Sequence, residues 1–75
     1  MPYAFDAPGL RRRLRENGHS KEAIAVALGL SSDTVVSWMY GRSFPRVATL
    51  VRLAEALDCA PGDLFCPAER LEKAS

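Results

Sequence analysis

Apolar residues recur along the chain at three- and four-residue intervals, in short stretches separated by capping residues, glycines and prolines. That is the period of amphipathic helices that turn one stripe inward. In the first stretch Leu10 and Leu14 share a face, Asp6 stands as a cap before Ala7-Pro8-Gly9, and Gly18 offers a left-handed stop. The spacing predicts a first helix over about Ala7 to Asn17. Ser20 repeats the start signal, Lys21 to Leu28 is a strong helix former and Gly29 repeats the stop, so the second helix is short. Only Gly29-Leu30-Ser31 separates it from a third helix over about Ser32 to Tyr40, capped by Ser31 and ended by Gly41.

Within the third helix Val35, Trp38 and Met39 share the inward face, which leaves Ser32, Asp33, Val36, Ser37 and Tyr40 outward. A merely solvated helix favours Lys and Glu there; this face is small and mostly polar. Gly41 to Pro45 reads as a loop. A fourth helix follows over about Arg46 to Leu57, with Val47, Leu50, Leu53, Ala54 and Leu57 as its buried stripe. Pro61 opens a last short helix that lays Leu64 and Phe65 over the core, and Pro67 opens one more turn through Lys73. The expected class is all-α, with five helices.

With 75 residues the chain is one small domain, its core over about residues 6–66 and residues 67–75 a tail or extra helical turn. Hydrophobic residues at 48% and charged ones at 25% are the balance of a folding chain and exclude disorder. No apolar run reaches the roughly 18 residues of a membrane span, so a cytoplasmic protein without a membrane partner is expected. Cys59 and Cys66 are too few for a disulfide framework and read as reduced thiols, with Cys59 a small buried hydrophobe. His19 is the only histidine and stands far from both, so no metal and no cofactor are expected. No base stands beside a nucleophile in the sequence, and the chain is not read as an enzyme.

The net charge of +1 does not announce a nucleic-acid partner. Its distribution says more: Arg11, Arg12, Arg13 and Arg15 crowd the first helix, with Arg42, Arg46 and Arg52 further on. Such a run is either a solvated helix face or a set of phosphate contacts, and the sequence leaves both open. It leaves open equally whether Tyr3, Phe5 and Phe44 are lids on the core or contacts to a second copy. Trp38 belongs to the core by its spacing to Val35.

Two short helices joined by a tight glycine turn outline a helix-turn-helix. In Gly18 to Ala25, Leu28-Gly29-Leu30-Ser31, Thr34 to Trp38, Gly41-Arg42 with Pro45, and Leu50 to Leu57 with Leu64, the chain resembles the phage lambda repressor and Cro-type family. The resemblance covers about Leu10 to Phe65 and implies a five-helix domain that binds duplex DNA, commonly as a homodimer on an inverted repeat. By matching position it implies base contacts from Ser32, Asp33 and Ser37, and backbone contacts from Lys21, Tyr40, Arg42 and Ser43. Val36, on the same outward face, joins the base-contacting set by its chemistry, since its methyls suit a thymine methyl. One departure is Met39, which stands where many members carry a glutamate paired to an arginine of the first helix. The expected function is therefore a transcriptional regulator, a repressor occupying an operator. The alternative is an antitoxin-like module that uses the same fold to hold a protein partner.

Overall fold

The computed structural model describes the backbone of residues 2–74 and the side chains of residues 2–71. Three of the expected caps are made by the side chains assigned to them. Asp6 accepts from the Gly9 amide at 3.0 Å and opens α1 (Ala7–Glu16). Ser20 accepts from the Ala23 amide at 3.0 Å and opens α2 (Lys21–Leu28). Ser31 accepts from the Thr34 amide at 3.3 Å and opens α3 (Ser32–Met39), its hydroxyl also 3.0 Å from that of Thr34. The fourth helix, α4 (Val47–Ala56), begins after Arg46 with no side-chain cap.

The helix ends are alike. Gly18, Gly29 and Gly41 take φ of 69°, 72° and 72°, and each reverses the chain with a pair of return hydrogen bonds. At the end of α3 the Gly41 amide donates to the Trp38 carbonyl at 3.3 Å and the Arg42 amide to the Ser37 carbonyl at 2.8 Å. The same pairs run from Gly18 and His19 to Arg15 and Leu14, and from Gly29 and Leu30 to Val26 and Ala25. In α4 the reversal falls on Asp58, at φ 55°, with Cys59 bonded back to Ala54.

A 3₁₀ turn over Pro61–Leu64 follows, held by the Asp63 carboxylate on the Ala60 amide at 3.1 Å. With α1 to α4 it makes the five-helix outline expected, and the turn opened by Pro67 is α5 (Ala68–Ala74). One element has no counterpart in the hydropathy pattern. Tyr3–Phe5 (β1) pairs antiparallel with Phe65–Pro67 (β2), with Ala4 opposite Cys66. Strands of three residues are too short to show a period, so the all-α class stands with a small ribbon tying its two ends together.

Leu10, Val35, Leu53 and Leu64 are the most deeply buried side chains, drawn from α1, α3, α4 and the 3₁₀ turn. Two expected core residues lie outside. Val47 is 78% exposed, because it opens the first turn of α4 and the inward stripe starts at Leu50. Phe65 is 40% exposed, because the strand it sits on turns Cys66 inward instead. Cys59 is half-buried against the core, and Cys66 is the buried thiol. Of the aromatics left open, Phe5 is core, meeting Phe44 and Phe65 edge-on at 6.2 and 6.4 Å between ring centres, while Tyr3 and Phe44 stay exposed.

Candidate functional site

The site is built by how α3 is held. Val35 and Trp38 are buried in the core where α3 packs on α2 and α1, as their spacing requires, and Met39 is half-buried beside them. This rotation leaves one face of α3 accessible: Asp33 is exposed, and Ser32, Val36 and Ser37 are half-exposed. They stand at neighbouring positions on successive turns and so form one small patch of two hydroxyls, a carboxylate and a branched methyl pair. The three-residue turn before α3 joins it to α2, whose first residue, Lys21, lies exposed with its ammonium 3.7 Å from Glu22. Past the other end of α3, Tyr40, Arg42 and Ser43 all face solvent.

The four arginines of α1, indistinguishable in sequence, have different surroundings. Arg12 pairs with Glu16 at 3.9 Å on an exposed face, a contact of little energetic weight. Arg15 is exposed, and Arg13 is half-buried and close enough to Cys59 to act on its charge. Arg11 leaves its own helix. Its guanidinium donates to the Met39 carbonyl and lies 5.0 Å from the centre of the Tyr40 ring, with the Arg42 guanidinium 6.0 Å from the same ring. The glutamate that Met39 replaces is therefore not needed for a link between α1 and α3. A backbone carbonyl takes its place. No local signal reports this contact, because its partners are 28 residues apart.

The remaining chemistry is quiet. Burial pushes the Cys66 thiol above its ordinary range, and the charge of Asp6 and a hydrogen bond to it push the same way. Burial also raises the Cys59 thiol, against the pull of Arg13. Both are thus kept as thiols rather than reactive thiolates. Among the described residues no three potential metal ligands cluster, and no helix is long and apolar enough to cross a membrane.

The profile of helix-turn-helix domains matches residues 10–65, from the first core leucine to the first residue of β2. The chain belongs to the helix-turn-helix domain family. Among solved structures it is similar to the P22 c2 repressor in complex with a synthetic operator, with a TM-score of 0.75 at 23% identity over 81% of this chain and 92% of that one. At that identity the likeness is one of fold. A transcriptional regulator from Listeria innocua matches with a TM-score of 0.76 at 25% identity, over 99% of this chain and 74% of that one. The iron(II) form of HppE matches with a TM-score of 0.75 at 30% identity over 83% of this chain, which spans 33% of the length of that protein. No curated protein matches the sequence. The helix-turn-helix fold of the repressor and Cro type that the sequence resembles is thus the fold of this chain.

Proposed function

We propose that the chain is a sequence-specific duplex-DNA-binding transcriptional regulator, a cytoplasmic repressor that occupies an operator as a homodimer with α3 in the major groove and needs no cofactor. The observation that carries this reading is the accessible, mostly polar face of α3, held by a buried Val35 and Trp38 and flanked by Lys21 and Arg42. The likeness to the transcriptional regulator from Listeria innocua supports it. Serine hydroxyls at 32 and 37 pair with several bases, Asp33 accepts from cytosine N4, and Val36 touches a thymine methyl. None of these makes the two-point grip by which Arg reads guanine or Asn reads adenine. Sequence preference then leans on groove shape, and affinity comes mainly from phosphate contacts by Lys21, Tyr40, Arg42 and Ser43.

Salt dependence tests it. With Lys21 and Arg42 each neutralising a phosphate in either subunit, and Tyr40 and Ser43 adding uncharged contacts, log affinity for duplex DNA falls against log salt with a slope of about −4 for a dimer. Affinity indifferent to salt, or no binding at low salt, contradicts the proposal. The net charge of +1 and a reading face without Arg, Asn or Gln favour a second reading, a module that holds a protein partner in the manner of an antitoxin.

A further inference from the structure

We propose that Arg11 is a positioning residue for the end of α3: it fastens that helix end to α1, fixes the Tyr40 ring and the loop carrying Arg42 and Ser43, and does not itself touch DNA. The inference rests on the DNA-binding reading for its consequence, and on the structure alone for its geometry.

The geometry follows from counting carbonyls. The last carbonyls of a helix have no partner within it. At the end of α3 the reversal at Gly41 supplies donors to three of them: the Tyr40 amide takes Val36, the Arg42 amide takes Ser37 and the Gly41 amide takes Trp38. The Met39 carbonyl is left without a backbone donor, and the Arg11 guanidinium supplies one from α1. A cation at that place also meets the negative end of the helix dipole. The same vacancy arises at the end of α2, where the Ala27 carbonyl receives the Arg52 guanidinium from α4, at a looser 3.4 Å and on an exposed face.

Only at α3 does the arginine do a second thing. Its guanidinium lies against Tyr40, a favourable contact between a cation and an aromatic face. Tyr40 is 57% exposed, so solvent alone would not hold it in one orientation. With Arg11 at 5.0 Å and Arg42 at 6.0 Å from its centre, the ring is the hinge between α1 and the loop. Arg11 is half-buried and committed to these two contacts, whereas Arg42 is exposed. Only Arg42 of the pair is therefore placed to neutralise a phosphate.

The test uses the full chain and its Arg11→Ala, Arg11→Lys, Arg42→Ala and doubly substituted forms. Titration against duplex DNA over a range of salt separates the roles. Arg11→Ala weakens binding about tenfold, the size of one lost hydrogen bond to a charged group, with the salt slope unchanged. Arg42→Ala makes the slope shallower by about one unit per subunit. The double variant loses less than the product of the two single losses, because the anchor matters through what the loop carries. Arg11→Lys restores part of the affinity, since an ammonium can meet the carbonyl but lacks the planar face.

A slope that drops by a full unit per subunit in Arg11→Ala means a direct phosphate contact and overturns the proposal, as does unchanged affinity. Amide hydrogen exchange on the free protein gives a reading independent of DNA. In Arg11→Ala the Gly41 and Arg42 amides lose protection about tenfold while the Leu53 amide keeps its own. In Arg11→Lys they lose less. Unchanged protection in both variants overturns the proposal. Lost protection without any DNA binding by the parent protein overturns the DNA-binding reading instead.

Discussion

Asp58 sits where three glycines sit elsewhere in the fold. Its φ of 55° closes α4 in the left-handed region, which a side chain enters at a cost of roughly 1 kcal/mol, less for aspartate than for most residues. No side-chain hydrogen bond of Asp58 among the described residues offsets this, and its charge adds only the last small push to the Cys59 thiol, which burial raises first. Asp58→Gly should therefore stabilise the domain by about 0.5 to 1 kcal/mol, read as a higher midpoint in thermal unfolding. A lower midpoint would mean that the carboxylate, not the backbone, is what this turn needs. The sequence marks Gly18, Gly29 and Gly41 as helix ends because glycine is the residue that fits there. Asp58 carries no such mark, and only the apolar stripe of α4 signals that helix.

For whole helices, legibility divides by distance along the chain. The caps of α1, α2 and α3 were readable because a serine or aspartate bonds an amide three residues on, and the stops because the return bonds span five residues. The β1–β2 ribbon joins residues some sixty positions apart, and the Arg11 contact crosses from α1 to α3; neither has a local signature. Val47 lies outside the core for a related reason, since periodicity does not say at which turn a stripe begins to be covered. The rotation of α3 about its axis is the inference on which the site depends. It is set by Trp38, 3% exposed, so Trp38→Ala should cost about 3 to 5 kcal/mol, a large part of the stability of so small a domain. Chemical denaturation of the variant checks this. An unchanged midpoint would mean that the ring is not buried and that α3 shows a different face.

At the scale of the molecule, the packing on α1 and α2, the Ser31 cap and the helix-end contacts hold one short helix in one orientation. What the fold does not carry is a strong positive field: the chain balances 10 basic against 9 acidic residues. Attraction to DNA must come from where the cations sit rather than from how many there are. The family and the fold were legible because helix-turn-helix spacing is local and repeated along nearly the whole chain. The division of labour among the arginines was not, because all four share one helix and differ only in what lies opposite. The central claim is that α3 reads bases while its flanks hold phosphates. The measurement that tests it most directly is a binding titration of Asp33→Ala and Ser37→Ala against a duplex selected from a random pool and against its scrambled form. Both variants should unfold close to the parent, because these side chains point away from Val35 and Trp38. Both should change the preference between the two duplexes, and Asp33→Ala should in addition bind the scrambled duplex more tightly, since a carboxylate near phosphates repels them. If neither substitution changes affinity or preference, α3 is not the reading element, and the fold serves to hold a protein partner instead.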